Sequence, residues 1–138
     1  MNGFLLDTNV VSELRKRQRC DAGVRRWFSE VAADELFLSV LVIGELRGGV
    51  ERIRRRDSAA ARALDAWLRR LEHAYQDHIL PVTLEICDRW GRLGVEQPLS
   101  PIDGLLAATA LQHDLAFVTR NVPDVAQSGV DVLNPFSR

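Results

Sequence analysis

This chain of 138 residues lacks the features on which several large protein classes depend. It has two cysteines far apart in the sequence, Cys20 and Cys87, which is typical of a reducing compartment rather than of a disulfide framework. No apolar run approaches the ~18 residues of a membrane span, and no signal peptide is visible at the start. The formal net charge of −1 excludes a polybasic nucleic-acid binder. We therefore expect a cytoplasmic protein with no membrane partner.

The motifs of several common enzyme sites are also missing. A nucleotide-binding Walker loop needs Gly-Lys-Ser/Thr, but the only lysine, Lys16, lies within Leu-Arg-Lys-Arg. No Gly-x-Gly-x-x-Gly follows the first predicted strand, and no Gly-x-Ser-x-Gly offers a hydrolase nucleophile. The cysteines and histidines do not have the spacing of a zinc site. Carboxylates are therefore the main candidates for chemistry.

What the sequence has is an alternation of short apolar strands and helices. With 46% hydrophobic residues it can bury a core, and we expect a single domain over residues 1–138. The predicted strands are 3–6, 36–38, 79–82, 116–118 and 131–133. The predicted helices are 10–17, 22–31, 42–54, 59–75, 102–113 and one that Thr83 caps, which carries Ile86, Trp90 and Leu93. This order predicts an α/β fold of three layers, in which helices flank a central parallel sheet of four to five short strands.

Two acidic residues stand in surroundings that favour a functional role. Asp7 ends the first predicted strand, and ligands of parallel sheets bind beyond the strand ends, although Asp7 can equally cap the next helix. Glu45 lies at the edge of the apolar stripe of a predicted helix, where a bare carboxylate is costly to bury. A salt bridge from Glu45 to Arg47 or Arg52 is the alternative interpretation.

Two further acids lie near a helix start and a strand end. Asp103 follows Ser100 and Pro101, so a capping box explains it, but its helix is apolar on nearly every side and is predicted to be buried. Asp124 follows the fourth strand and is, by itself, an ordinary loop residue. Acids placed beyond neighbouring strand ends converge in one pocket, and their oxygens favour Mg²⁺ or Mn²⁺. Metal-assisted cleavage of a phosphodiester is the reaction class that uses such a site.

Five blocks of sequence lie in order along nearly the whole chain. They are Leu5–Glu13, Ser39–Val40 with Gly44–Leu46 and Gly49, Pro101–Asp103 with Ala107–Ala110, Val118–Asn121, and Asn134–Phe136. Each block alone is weak evidence, but all of them in this order are specific. Together they resemble the PIN-domain ribonuclease toxins of the VapC type.

The resemblance implies a PIN-like fold and an endoribonuclease that depends on Mg²⁺, for which Mn²⁺ can substitute. It also implies a homodimer that a small cognate antitoxin inhibits, in a heterotetramer or larger assembly. The acidic positions that bind metal and carry catalysis in the family fall on Asp7, Glu45, Asp103 and Asp124. Polar residues that hold carboxylates or waters fall on Thr8, Asn9, Thr119 and Asn121.

Positive charge for an RNA substrate is concentrated in the first half of the chain, since 14 of the 18 basic residues lie within residues 1–70. Arg52 and Arg55 belong to a cluster that can contact RNA phosphates, favour the helix C-terminus or face solvent. Arg120 is a better-placed phosphate ligand because it follows a strand into the predicted pocket. Gly48 and Gly49 are poor helix residues, which indicates either a close approach or an early helix end.

Other functions are compatible with the same residues. A groove among the early helices is predicted to accept an antitoxin helix. Its possible lining residues are Trp27, Phe28, Trp67 and Leu68. Packing in the core is the favoured interpretation of the same side chains. An aspartyl-phosphate phosphatase of the haloacid dehalogenase type would use Asp7 as nucleophile, but the second Asp that it needs is Asn9 here. A non-enzymatic interaction module would use the acids only as helix caps.

Overall fold

The computed structural model of the chain describes residues 2–95 and 99–137, and its strands and helices alternate as the sequence predicts. The strands are β1 (Phe4–Leu6), β2 (Leu36–Ser39), β3 (Ile79–Leu80), β4 (Ala116–Val118) and β5 (Val132–Leu133). The α-helices in these ranges are α1 (Thr8–Leu14), α2 (Ala22–Glu30), α3 (Val40–Arg54), α4 (Ser58–Ala74), α5 (Leu84–Leu93), α6 (Pro101–Gln112) and α7 (Val122–Val125).

The five strands form one sheet in the order β3-β2-β1-β4-β5, and every neighbouring pair is parallel. In this register Leu5 on the central strand lies opposite both Phe37 and Phe117. Pro81 directly follows the edge strand β3, where its missing N–H breaks no ladder hydrogen bond. The predicted parallel α/β fold is therefore confirmed, with five strands.

The helices cover the sheet and complete the core. α3 packs against α4, and α5 packs against α6, which also contacts β4. The apolar α6 is buried as predicted, because a helix without a polar face is stable only when it is covered. The largest fully buried side chains of the core include Phe117, Leu5, Leu6, Leu36, Leu38, Leu68 and Leu106. A search of residues 2–95 and 99–137 finds no helix with the length and hydropathy to cross a membrane.

Both ends of α1 differ from the prediction for local reasons. α1 begins at Thr8 rather than at residue 10, because Asp7 caps it and accepts from the Thr8 backbone N–H. α1 ends at Leu14, and Arg17 then takes a positive φ of 54°, which a helix cannot contain. α7 is a short helix where the sequence analysis expects a loop, with Asp124 in its first turn.

The segment 134–137, which follows β5, is fastened to the start of α2. The Asp21 carboxylate caps α2 by accepting from the backbone N–H groups of Gly23 and Val24, at 2.8 and 3.1 Å. It also accepts from Ser137, at 2.9 Å from the backbone N–H and 2.6 Å from the hydroxyl. One carboxylate thus fixes a helix start and the 134–137 segment together.

Acid is expected to weaken this attachment. The hydroxyl and N–H of Ser137 lower the pKa of Asp21 to about 2, from an ordinary value of 3.8. A carboxyl whose pKa is lower in the folded state stabilises the fold when the pH is above its unfolded-state pKa. That contribution is lost as the pH falls through the folded-state pKa of about 2. We expect wild type to have a higher urea midpoint than Asp21→Asn at about pH 5, and the gap to close by about pH 2. If the difference between the two urea midpoints stays constant from about pH 5 to about pH 2, the Asp21 carboxylate does not hold the 134–137 segment in the way described.

Candidate functional site

The carboxyl ends of β1, β2 and β4 place three polar residues at one edge of the sheet. Asp7 follows β1, Ser39 ends β2 and Thr119 follows β4, and all three are buried. These strands are direct neighbours, with β1 in the middle. The crevice beyond the strand ends is where open parallel sheets bind their ligands. Asp7 therefore lies at the centre of the position where a ligand site is expected.

The buried Asp7 carboxylate is held at both oxygens. Its Oδ1 accepts from the Thr8 backbone N–H at 2.7 Å, which caps α1. Its Oδ2 accepts from the Thr119 hydroxyl at 2.7 Å and from the Asn9 amide at 3.3 Å. Asp7 is thus both a helix cap and a fixed carboxylate at the strand ends, two roles that the sequence offers as alternatives.

Asn9 and Thr119 connect the starts of the segments that follow β1 and β4. The Asn9 side-chain oxygen accepts from the Arg120 backbone N–H at 3.3 Å, and its amide lies 3.5 Å from the Thr119 hydroxyl oxygen. That hydroxyl accepts from the Asn121 backbone N–H at 3.0 Å. Asn9 and Thr119 therefore support Asp7 directly, whereas Asn121 contributes through its main chain.

Glu45 lies on the exposed side of α3 and is tied to the same edge by Thr8. The Thr8 hydroxyl donates a short hydrogen bond to Glu45 Oε1. The alternative salt bridge does not form within the described residues, because Arg47 instead pairs with Asp65 at 3.0 Å and with Glu51 at 3.5 Å. Thr8 therefore joins Glu45 to Asp7 through one residue, its backbone bonded to one acid and its side chain to the other.

Asp103 is half-buried near the start of α6, and the predicted capping box is wrong. Ser100 is the N-cap residue, but its side chain accepts no cap hydrogen bond. Its hydroxyl instead donates to Asp103 Oδ2 at 2.7 Å. Ser100 and Asp103 are therefore in contact, as the capping pattern indicates. The Ser100 hydroxyl, however, donates to the Asp103 carboxylate and accepts no hydrogen bond from the backbone at the helix start.

Electrostatics link three of the four predicted acids. Burial raises the pKa of Asp7 above its usual 3.8, and the charges of Asp103 and Glu45 raise it further. Hydrogen bonds from Thr119 and Thr8 oppose this rise by stabilising the charged form. Asp124 is exposed in α7 and is not among the main charges that act on Asp7. The charges of Asp103 and Glu45 therefore act on Asp7, whereas Asp124 is exposed in the short helix α7.

The donor chemistry of this site fits a hard divalent cation. Its groups are carboxylate, hydroxyl and amide oxygens, the ligand types that Mg²⁺ and Mn²⁺ prefer. In residues 2–95 and 99–137, no three Cys, His, Asp or Glu side chains lie close enough together to enclose one ion. Mg²⁺ usually binds through one or two carboxylates and keeps several waters. An oxygen site of this kind therefore suffices without an enclosing cage.

Two of the predicted phosphate ligands lie on or next to α3. The Arg52 guanidinium passes over Gly48 and Gly49, since a Cβ built on each would lie 3.4 and 3.9 Å from its nitrogens. Because Gly48 precedes Arg52 by one helical turn, the side chain runs back toward the Glu45 end of α3. The close approach that the glycines indicate is therefore made by Arg52 itself. Arg55 is exposed, and no carboxylate in the described residues pairs with it.

A separate apolar groove of about 440 Å³ lies among α1, α2 and α4. Phe28 and Trp67 line it, as two of the predicted linings. The other two are not among its lining residues: Trp27 packs edge-on against Phe4 at 5.3 Å, and Leu68 belongs to the buried core. The remaining linings are Leu6, Val11, Leu14, Cys20, Leu38, Leu71, Tyr75, Gln18 and three arginines, Arg15, Arg17 and Arg25.

Comparison with known proteins agrees with this geometry. Residues 4–122 match the model of the PIN domain. The chain is 30% identical to the VapC ribonuclease Y4jK of Sinorhizobium fredii, over 96% of this chain and 97% of that protein. It is 29% identical to Toxin FitB of Neisseria gonorrhoeae, over 96% of this chain and 98% of that protein.

Solved structures share the fold as well. The crystal structure of FitAcB from Neisseria gonorrhoeae matches with a TM-score of 0.87 at 28% identity, covering 96% of this chain and 97% of that chain. The family resemblance that the sequence indicates is thereby confirmed. Because the PIN match spans well over half of its length, the chain belongs to the PIN-domain family, with a VapC ribonuclease among its relatives.

Proposed function

We propose that this chain is a metal-dependent endoribonuclease and the toxin of a toxin–antitoxin pair. The observation that carries the proposal is the buried Asp7 carboxylate, which is fixed at both oxygens and lies within the electrostatic reach of Glu45 and Asp103. Like charges that act on a buried carboxylate favour a cation beside it. The relatives named a VapC ribonuclease and a toxin support the same function.

Asp7, Glu45 and Asp103 are the residues that would hold Mg²⁺ or Mn²⁺, directly or through the waters that the ion keeps, and Asp124 would act from α7 through water. When bound, such an ion supplies a water of lowered pKa and stabilises charge on the phosphodiester oxygens. Thr119 and Asn9 keep the Asp7 carboxylate oriented, and Thr8 does the same for Glu45. With these contacts, the acids need little rearrangement before they act.

Positive charge beside the acids is proposed to bind the RNA backbone. Arg120 lies two residues after β4 and its main chain is bonded to Asn9, so its side chain starts near the carboxyl end of the strand. The Arg52 side chain runs back along α3 toward Glu45. Arg55 is exposed just after α3 and adds a second positive charge near this helix end. Each guanidinium has several N–H donors in one plane, which suits phosphate oxygens.

The proposal is tested by metal dependence. We expect wild type to cleave a fluorescent single-stranded RNA with Mg²⁺ or Mn²⁺ and to leave it intact in EDTA. Mn²⁺ is also expected to raise the thermal melting temperature, because an ion that binds only the folded state stabilises it. No cleavage and no shift in melting temperature would favour the interaction module. A trapped phospho-aspartate at Asp7 would favour the phosphatase.

The apolar groove is proposed as the docking site of the antitoxin. Its apolar floor carries Phe28 and Trp67, and its rim carries Arg15, Arg17 and Arg25. This combination suits an amphipathic helix with acidic residues beside its apolar face. A neighbouring reading frame for a small protein with a DNA-binding N-terminus is the observation that tests the pairing.

We also propose a homodimer that functions in the cytoplasm. The two most exposed large apolar side chains in the described ranges are Leu84 and Val95, at 82% and 77% exposure. Leu84 begins α5 and Val95 lies two residues beyond its last residue, which makes this part of the chain the natural contact between copies. The free thiols of Cys20 and Cys87 suit a reducing compartment. Light scattering that gives only monomer mass would contradict the dimer.

A further inference from the structure

The 134–137 segment contacts Arg120, which lies two residues after β4, through the ring of Phe136. The guanidinium carbon of Arg120 lies 4.7 Å from the centroid of the Phe136 ring. Phe136 is half-buried, whereas Arg120 is exposed. A cation at this distance over a ring face is attracted by the negative face of the ring. Phe136 belongs to the last of the five sequence blocks that resemble the family.

Phe136 is itself held on both sides. Its backbone N–H donates to the Asn134 side chain at 3.0 Å, and the next residue, Ser137, is bound to Asp21. The preceding Pro135 is buried, and a Cβ on Gly23 would lie only 2.4 Å from its carbonyl oxygen. The ring is therefore carried by a segment that the start of α2 fixes in place.

Arg120 is fixed at its main chain, and its side chain has no charged partner among the described residues. Its backbone N–H donates to Asn9, whose amide donates to Asp7. No carboxylate in residues 2–95 or 99–137 forms an ion pair with the Arg120 guanidinium. A guanidinium packed on a ring keeps the N–H groups at its edge available for phosphate. The Arg120 guanidinium is therefore held over an aromatic ring and has no carboxylate partner within the described residues.

We propose that Phe136 is a positioning residue, which holds the Arg120 guanidinium ready for an RNA phosphate at the acidic edge. This inference rests on the proposed RNA substrate. It assigns a contact with the phosphate backbone of the RNA to the pair formed by Arg120 and Phe136. Without the ring, the flexible Arg120 side chain samples many rotamers, and fewer of them meet the phosphate. Phe136 acts on RNA affinity through Arg120 and does not touch the reacting atoms.

The test is a double-mutant cycle measured by RNA binding in EDTA, so that no cleavage occurs. A fluorescent single-stranded RNA oligonucleotide is titrated with full-length wild type, Phe136→Leu, Arg120→Ala and the double variant. We expect Phe136→Leu to weaken binding about two- to fivefold, and Phe136→Tyr to retain wild-type affinity because it keeps an aromatic face. In the Arg120→Ala background, Phe136→Leu is expected to cause no further loss.

The salt dependence provides a second readout. Each phosphate contact to single-stranded nucleic acid contributes about 0.7 to the slope of log affinity against log salt. Arg120→Ala is expected to lower the slope by about this amount. The matched control is Arg62→Ala, which removes an exposed arginine on α4 and is expected to leave the slope nearly unchanged.

The outcomes separate this inference from the proposed function. Equal losses from Phe136→Leu with and without Arg120, or no loss at all, would overturn the inference and leave the nuclease proposal standing. A wild-type chain that binds no RNA would overturn it too. A chain that binds RNA with the expected coupling but cleaves none with Mg²⁺ or Mn²⁺ supports the Arg–Phe pair and removes the nuclease activity. Thermal melts of each variant verify that the fold is retained.

Discussion

Asp7→Asn is expected to lower the rate of metal-dependent RNA cleavage by more than about 100-fold while the fold stays intact. Loss of a residue that merely supports a metal ligand costs about 10- to 100-fold, and Asp7 is proposed as a ligand itself. Asn has the same shape and caps helices as well as Asp does, so the hydrogen bond to the Thr8 N–H is retained. The measurement is single-turnover cleavage with Mn²⁺, together with a thermal melt.

The companion variants decide what such a loss means. Asp103→Asn is expected to have the same effect, because it removes a second proposed ligand. Asp88→Asn is the matched control, since Asp88 is an exposed acid on α5 that pairs with Arg92 at 3.0 Å. Full activity in Asp7→Asn or Asp103→Asn would refute the assigned site. Equal losses in all three variants would point to nonspecific damage.

Gly23→Ala is expected to destabilise the fold by about 1–3 kcal/mol, the range of a strained insertion into a packed site. The added Cβ would lie 2.4 Å from the Pro135 carbonyl oxygen and 2.7 Å from the Ser137 nitrogen. Both are backbone atoms, so no rotamer change relieves the contact. The 134–137 segment must move away, and the bonds from Ser137 to Asp21 are lost with it. The measurement is the free energy of unfolding in urea.

Gly44→Ala is the control, with the opposite sign. Gly44 lies inside α3, and a Cβ built there meets no atom within 4 Å. Replacing glycine by alanine in a helix interior stabilises it by about 0.5–1 kcal/mol, because alanine loses less backbone entropy on folding. If both variants shift the urea midpoint in the same direction, the close contact between Gly23 and the 134–137 segment is not what governs stability.

The elements of the fold could be predicted because their signals are local. Short apolar runs bounded by polar residues give the strands, and the wholly apolar 102–113 stretch gives a buried helix. Pro81 marks the end of the edge strand β3 for the same reason, since its ring cannot donate to a ladder. The start of α1 and the short α7 could not be predicted, because Asp7 and Asn121 are compatible with several local conformations.

The acids of the site were predictable one at a time, and their contacts were not. Parallel strands bring Asp7 and Thr119 to one edge, so a rule of topology locates them without coordinates. The partners of these acids depend on side-chain rotamers and on distances across the chain. Thr8 was predicted as a supporting residue, but its bond to Glu45 joins positions 37 residues apart, and Ser100 donates where the capping motif expects it to accept.

The sequence by itself determined that this protein has no disulfide framework, Walker loop or zinc motif, and that its charges nearly cancel at −1. Those properties depend on composition and on spacing along the chain, which folding does not change. Only the tertiary structure decided which of the many charges act together. It joins Asp7 to Thr119 across 112 residues and Asp21 to Ser137 across 116 residues. Hydrogen bonds and electrostatic interactions depend on distance in space, so packing of the sheet and helices selects the working groups.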